Sequence, residues 1–314
     1  MKILFIDTTH SLLPQLLNEA GFECIHSAYK TKEEYEAIIH EYDGIIIRSK
    51  FYIDASFISK ATNLKFIGRV GSGMENIDLV AAEKYGVQCI NSPEGNRDAV
   101  GEQAIGMILS LFNNINRACN EVRQGIWLRE ENRGIELRGK TVGIIGFGNV
   151  GSAFAEKLMG FGCKIIAYDK YKTDYAPVYV TEVDLKTIQE CSDVISLHIP
   201  LNEDTEFIID DQFLDKCKKG VYIINTSRGK VVQTEHLVSR IKNGQVQGAC
   251  LDVLEYEATS FEKFSSTNPT FKWLSESDRV ILTPHIAGWT HESNIKLSTT
   301  LAKKIIQRFA SSTN

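Results

Sequence analysis

From residue 2 onward, short apolar runs alternate with stretches in which apolar residues recur every three or four positions. Lys2–Ile6, Glu23–His26, Gly44–Arg48, Lys65–Val70 and Val87–Asn91 have the length of strands. Leu12–Ala20, Lys32–Ile39, Ala55–Ala61 and Asp78–Tyr85, which lie between them, carry helical spacing. This alternation predicts a parallel sheet with helices on both faces, because parallel strands need a crossover connection. Asp78 is suited to cap the N-terminus of its helix, and Gly21 and Gly86 to stop theirs. One long helix is predicted over Asp98–Val122, apolar along Ile105, Ile108, Leu109 and Phe112, followed by a charged, glycine-bearing stretch, Arg123–Lys140. A second alternating series starts at Thr141. Its predicted strands are Val142–Gly146, Lys164–Tyr168, Val178–Val180, Val194–His198, Val221–Asn225, Gly248–Asp252 and Val280–Thr283, with a helix over Ser152–Met159 and a closing helix over Glu292–Phe309. The fold class is therefore α/β, two doubly wound parallel-sheet domains. The closing helix lies too far past the last strand to serve the second sheet and is assigned to the first. The expected division is a discontinuous domain of residues 1–96 plus 287–314 and an inserted domain of residues 97–286.

Composition narrows the function classes. The chain has 314 residues, enough for two domains at roughly 150 each. Its net charge is −5 with no block of either sign, which gives no electrostatic reason to expect nucleic acid or an anionic membrane as partner. No apolar run reaches the roughly 18–20 residues that span a bilayer. The N-terminus meets Asp7 after a short apolar run, which suits a strand and not a secretory signal. Seven cysteines (Cys24, Cys89, Cys119, Cys163, Cys191, Cys217 and Cys250) are scattered without a C-x-x-C pair and read as reduced thiols of a cytoplasmic protein. No metal site is expected.

The first chemical signal is Thr141-Val-Gly-Ile-Ile-Gly-Phe-Gly-Asn-Val-Gly151, a strand running into G-x-G-x-x-G. In such a turn Gly146 permits the tight bend, Gly148 lets backbone amides approach a pyrophosphate, and Gly151 lets the next helix pack on the strand. Asn149, Val150 and Gly151 open that helix, whose N–H groups and dipole favour an anion. Asp169 ends the following strand eighteen residues after Gly151, near the spacing of the acid that accepts the adenosine ribose hydroxyls. An acid there repels a 2′-phosphate, so NAD is the expected cofactor. Lys170 and Lys172 follow closely and weaken that preference. The second domain is thus read as a Rossmann cofactor domain inserted into a flavodoxin-like substrate domain.

Three later segments each begin as an apolar strand and end in a reactive side chain: Ile223-Ile-Asn-Thr-Ser-Arg-Gly229, Ala249-Cys-Leu-Asp-Val-Leu-Glu-Tyr-Glu257 and Ile281-Leu-Thr-Pro-His-Ile-Ala-Gly288. Ligands of open α/β sheets bind at the carboxyl ends of the strands, so Arg228, Glu257 and His285 are expected to converge beside the cofactor. With the glycine turn, Ser196-Leu-His-Ile-Pro-Leu201 with Thr205, and the early segments Arg69–Asp78 and Asn91–Asn96, these runs resemble the D-isomer-specific 2-hydroxyacid dehydrogenase family in its own order, over nearly the whole chain.

The resemblance implies Arg228 as the grip on the substrate carboxylate, His285 as acid and base at the C2 oxygen, and Glu257 as the carboxylate that fixes the His285 ring. It further implies that His198, Pro200, Thr205, Thr226, Asp252 and Gly288 lie along the cofactor, and that Ser72, Gly73 and Asn96 lie on the substrate. The chain departs from the family where Ala258 stands in place of the usual Pro after the Glu. Glu255 and Glu262 are neighbouring carboxylates that compete for the role of Glu257, and Asn149 replaces a more usual basic residue. Within the family the D-3-phosphoglycerate dehydrogenase branch is most similar, without a regulatory domain. Its matching arginines, Arg48 and Arg69, would bind a phosphate, or else pair with acids at the domain boundary. The expected reaction is hydride transfer between NAD(H) and 3-phosphoglycerate/3-phosphohydroxypyruvate. The alternatives are a hydroxypyruvate/glyoxylate or D-lactate type reductase, and a non-enzymatic NAD-sensing protein on the same fold. A homodimer through the cofactor domain is the partner the family implies.

Overall fold

The computed structural model describes residues 1–257 and 268–310. Glu262, one of the competing carboxylates, and Ala258 lie outside the described residues. The chain separates into two compact units, Met1–Asn96 with the chain from Trp289 onward, and Arg97–Gly288.

In the first unit, β1 (Lys2–Phe5), β2 (Glu23–His26), β3 (Gly44–Ile47), β4 (Phe66–Arg69) and β5 (Gln88–Ile90) form one parallel sheet in the order β2-β1-β3-β4-β5. This is the flavodoxin-like order. Helices α1 (Leu12–Glu19), α2 (Lys32–Ile38), α3 (Ala55–Lys60) and α4 (Leu79–Lys84) connect the strands. The side-chain period of two sends Leu4, Ile45, Ile47 and Ile67 to one face, against Tyr35, Phe57 and Ala82. It sends Ile3, Phe5, Ile46 and Phe66 to the other, where Leu13, Leu17, Leu301 and Ile305 cover them. Two covered faces explain why these strands read as nearly continuous apolar runs. Asp78 caps α4, accepting from the Ala81 amide at 2.9 Å.

In the second unit the helices α5 (Arg97–Phe112) and α6 (Ile115–Arg123) precede a seven-stranded parallel sheet. Its strands are β6 (Thr141–Ile145), β7 (Lys164–Tyr168), β8 (Thr181–Glu182), β9 (Val194–Leu197), β10 (Val221–Asn225), β11 (Val246–Leu251) and β12 (Val280–Leu282), in the order β12-β11-β10-β9-β6-β7-β8. Counted from β6, this is the doubly wound 3-2-1-4-5-6 order with one strand added. The connecting helices are α7 (Asn149–Leu158), α8 (Leu185–Cys191), α9 (Asp211–Asp215), α10 (Thr234–Lys242) and α11 (Pro269–Glu276). The closing helix α12 (His291–Phe309), capped by Thr290 through the Ser293 amide at 3.0 Å, supplies the Leu301 and Ile305 that cover the first sheet. Among the described residues no helix is long and apolar enough to cross a membrane.

Two expectations need correction, and one set of elements was missed. The predicted single helix Asp98–Val122 is two, because Asn114 takes a left-handed φ of 51° and breaks it, a conformation asparagine tolerates better than most residues. The strand expected at Val178–Val180 is a turn, closed by the Val180 amide on the Pro177 carbonyl, and the strand starts at Thr181. Helices α8 to α11 were not singled out from the sequence. All four are short, and aspartate or asparagine caps (Asp184, Asp210, Asn268) start three of them.

Candidate active site

In the second unit the chain order reverses between β6 and β9, which are hydrogen-bonded neighbours. Such a switch point leaves a crevice at the carboxyl ends of the strands. Gly146 follows β6 with φ +90°, and a side chain there would meet the His198 carbonyl at 2.5 Å. A Cβ on Gly151 would lie 2.1 Å from the Gly146 carbonyl, so α7 packs on the turn only because that position is bare. Gly148 differs, since a side chain there would meet no protein atom within 4 Å. The protein's own packing does not demand glycine at that place, which adjoins the start of α7, where Asn149, Val150 and Gly151 lie and no side chain caps the amides. An uncapped helix start beside open room is the feature a pyrophosphate needs.

Asp169 stands at the end of β7. Its Oδ2 accepts from the Phe147 amide at 2.8 Å and its Oδ1 from the Tyr171 amide at 3.0 Å, which fixes the carboxylate beside the glycine turn. The two lysines that follow are each held by another oxygen. Lys170 Nζ lies 2.8 Å from Asp204 Oδ2, and Lys172 Nζ donates to the Phe147 carbonyl at 2.8 Å. The buried polar atoms of this unit without a hydrogen-bond partner include Thr226 Oγ1, after β10, and His198 Nδ1, after β9. The His198 Nε2 is bonded to Ser196 Oγ at 2.9 Å, and burial pushes this imidazole down to about 3, so it is neutral. An orphaned hydroxyl and ring nitrogen near the crevice, together with Asp169 and the open Gly148, fit a dinucleotide. Thr205 is used within its own loop, its hydroxyl donating to the Pro200 carbonyl at 2.6 Å.

The three strand ends beyond the turn are brought together. Asn225 shapes the loop that presents Arg228: its amide donates to the Arg228 carbonyl at 2.9 Å and its Oδ1 accepts from the Ser227 amide at 3.0 Å. The next residue, Gly229, packs so closely on the chain after β11 that a Cβ would lie 2.0 Å from the Leu254 carbonyl. In that segment Glu257 Oε1 accepts from the Leu254 amide at 2.5 Å, and Glu257 Oε2 lies 2.7 Å from His285 Nδ1. Glu255 points elsewhere, accepting from the Thr234 amide at 3.1 Å at the start of α10. Asp252, 1% exposed, builds the turn that carries the histidine. Its carboxylate accepts from the Ile286 and Ala287 amides at 3.0 and 2.9 Å and from the Thr283 hydroxyl at 2.5 Å, while its carbonyl accepts from the His285 amide at 2.8 Å. His285 itself has φ +54°. A non-glycine residue held in that region is strained, and the Asp252 bonds offset the cost. Gly288 closes this segment.

In the first unit, at the β1/β3 switch point, Asp7 Oδ2 accepts the amides of Arg48, Ser49 and Lys50 at 2.6, 3.1 and 3.2 Å. The Arg48 guanidinium lies 4.7 Å from the centroid of the Trp289 ring, which is 69% exposed, and among the described residues no carboxylate lies within ion-pair distance of it. Arg69 folds over Gly71, its Nη1 occupying the place of a Gly71 Cβ (1.2 Å) and donating to the Val70 carbonyl at 3.3 Å. Ser72 donates to Asn96 Oδ1 at 2.6 Å, and Asn91 donates to the Ser72 carbonyl at 2.6 Å, which fixes the loop through Gly73. Sequence reasoning missed Asp7, Trp289 and Asp204. An acid directly after the first strand and an aromatic directly after Pro284–Gly288 were the available signals.

Comparison with known proteins agrees with this chemistry. Residues 105–287 match the model of the D-isomer specific 2-hydroxyacid dehydrogenase NAD-binding domain. The hydroxypyruvate reductase of Thermotoga maritima is 38% identical over 292 residues, covering 93% of this chain and 92% of that protein. The D-3-phosphoglycerate dehydrogenase of Archaeoglobus fulgidus is 35% identical over 308 residues, covering 98% of this chain and 57% of that protein, so this chain spans just over half its length. The solved structure of a D-2-hydroxyisocaproate dehydrogenase superposes with a TM-score of 0.85 at 27% identity, covering 100% of this chain and 98% of that one. The chain belongs to the D-isomer specific 2-hydroxyacid dehydrogenase family, the NAD-dependent oxidoreductases whose cofactor domain its residues 105–287 form.

Proposed function

We propose that the protein interconverts a D-2-hydroxy acid and its 2-keto acid with His285 as the proton carrier. The observation that carries this reading is the 2.7 Å contact of His285 Nδ1 with Glu257 Oε2, on a turn built by Asp252. Glu257 accepts from Nδ1–H, so the lone pair of the neutral ring lies on Nε2, the nitrogen that takes the C2 hydroxyl proton during oxidation. The imidazolium that forms is stabilised by the same carboxylate and returns the proton to the C2 oxygen during reduction. Arg228 grips the substrate carboxylate with its planar fork of donors. A bound NAD would supply the hydride acceptor for oxidation at C2, and NADH the donor for reduction. Asp169, Thr226, His198 and the start of α7 are the residues that hold the dinucleotide. The test is NADH turnover with a panel of 2-keto acids. His285→Ala and Arg228→Ala abolish turnover while NADH still binds, and full activity in either variant refutes the mechanism.

For the substrate, the reading is 3-phosphohydroxypyruvate and its reduced partner. Arg48, stacked on Trp289 with no carboxylate partner among the described residues, and Arg69, laid over Gly71, suit an anionic group such as a phosphate. Hydroxypyruvate is the second reading, favoured by the Thermotoga maritima relative, which matches over 92% of its length. Steady-state kinetics with 3-phosphohydroxypyruvate, hydroxypyruvate, glyoxylate and pyruvate separates them. A phosphate preference that survives Arg48→Ala and Arg69→Ala overturns the assignment of these arginines. The second unit also exposes Ile115, Val122, Trp127 and Leu128, an apolar set that suits pairing with a second copy through the cofactor domain. Light scattering after size exclusion tests the dimer, and a monomer at micromolar concentration refutes it.

A further inference from the structure

NADP differs from NAD by one phosphate on the adenosine ribose, so discrimination is decided by the charges beside Asp169. Lys170 directly follows that acid and Lys172 lies two residues further on, an arrangement that invites a 2′-phosphate in spite of Asp169. Both are occupied: Lys172 Nζ donates to the Phe147 carbonyl at 2.8 Å, and Lys170 Nζ pairs with Asp204 Oδ2 at 2.8 Å. The second pairing links the β7 end to a different loop, residues 200–205, which Thr205 stiffens by accepting from the Asn202 amide at 2.8 Å and donating to the Pro200 carbonyl at 2.6 Å. The Asp204 amide is itself held by Asn202 Oδ1 at 3.0 Å, and Tyr171 Oη reaches Asp204 Oδ2 at 3.4 Å. Asp204 is therefore placed by its loop and is not merely a surface acid that has met a lysine.

We infer that Asp204 is a specificity-determining positioning residue: it engages Lys170 and makes the lysine less available to a 2′-phosphate, adding to the preference for NAD that Asp169 sets. Asp169 acts on the ribose directly. Asp204 acts through Lys170, removing from the adenosine site the one cation that immediately follows the discriminating acid. The pair is solvent-exposed, so its contribution is a modest bias added to the Asp169 effect and is weakened by salt.

The test is fluorescence titration of NADH and of NADPH into four proteins: wild type, Asp204→Asn, Lys170→Met and the double variant. This readout needs no substrate and stands apart from the substrate assignment. Asp204→Asn is expected to tighten NADPH roughly three- to tenfold, with NADH unchanged within about twofold, the scale of one charge-assisted contact in water. In the Lys170→Met background the same substitution is expected to lose most of that gain, because the released cation is absent. Two outcomes overturn the inference. An unchanged NADPH affinity in Asp204→Asn shows that Lys170 is not restrained by the pair. An equal gain with and without Lys170 shows that Asp204 acts only by its own charge. The NADH titration doubles as the check that each variant is folded.

Discussion

Replacing Glu257 by glutamine tests the candidate site most sharply, because the structure dictates how the amide must sit. Glu257 Oε1 accepts from the Leu254 amide at 2.5 Å, and Oε2 faces His285 Nδ1 at 2.7 Å. In Glu257→Gln the amide oxygen stays on the Leu254 N–H, and the NH2 group then points at the histidine. The reverse orientation sets two donors against each other and leaves a part-buried N–H without an acceptor, a cost of about 1–3 kcal/mol. His285 Nδ1 is thereby made an acceptor, and in the neutral ring the proton moves to Nε2, the nitrogen that must be bare to act as base. The tautomer penalty adds to the loss of a hydrogen bond to a charged group, about 1.5–3 kcal/mol. Together they amount to roughly a 10²- to 10⁴-fold fall in kcat/KM, the range a wrong tautomer produces in other histidine–carboxylate pairs. Both directions fall alike, since a substitution cannot move the overall equilibrium. Glu257→Ala removes the charge without imposing a tautomer and falls less than Glu257→Gln. The assay is NADH absorbance at saturating cofactor with the preferred acid, with NADH titration showing cofactor affinity within about twofold of wild type. A Glu257→Gln enzyme keeping more than about a tenth of wild-type kcat/KM would refute the assignment of Glu257, as would a glutamine variant more active than the alanine one.

Three further outcomes follow from particular residues. Gly148→Ala, with no protein atom within 4 Å of the new Cβ, keeps the wild-type Tm but weakens NADH binding at least tenfold, whereas Gly151→Ala, with a 2.1 Å approach to the Gly146 carbonyl, loses about 2–4 kcal/mol of stability in denaturant titration; equal behaviour of the two contradicts the phosphate-turn reading. His198 is buried with its imidazole pushed down from 6.5 to about 3, so the unfolded chain binds a proton that the folded chain refuses; stability is full above 6.5 and falls by up to about 1.4 kcal/mol per pH unit as pH drops toward 3. His198→Asn therefore flattens the pH dependence of unfolding free energy between pH 6.5 and 4, and an unaltered slope excludes the buried neutral ring. Trp289→Ala removes the ring beneath Arg48, and if the two hold a distal anion it raises KM for a phosphorylated acid severalfold while leaving kcat nearly intact, with Trp289→Phe recovering part of the loss.

Much of this protein was legible in the chain itself. Strand–helix alternation with buried, nearly continuous apolar strands leaves few options besides two parallel sheets, and G-x-G-x-x-G between a strand and a helix, with an acid at the next strand end, points to a dinucleotide. The strand-end positions of Arg228, Glu257 and His285 were likewise visible, because ligands of parallel sheets gather at carboxyl ends. The sequence favoured Glu257 over its neighbours Glu255 and Glu262 but carried no geometry to separate Glu255 from Glu257. That choice depends on which carboxylate the Leu254–Glu257 turn aims at the histidine, and the fold sends Glu255 to the Thr234 amide. Nor did it disclose the break at Asn114, where one left-handed residue overrides a helical pattern on both sides. Asp252, expected beside the cofactor, also makes four bonds that build the strained His285 turn, a role no local pattern disclosed. Arg48 on Trp289, separated by about 240 residues, and Lys170 on Asp204 required the chain to be folded before they could meet. Local patterning determined most of the strands and which side chains end them. Tertiary packing decided the partner of each reactive group, because partners distant in sequence become neighbours only when the layers close.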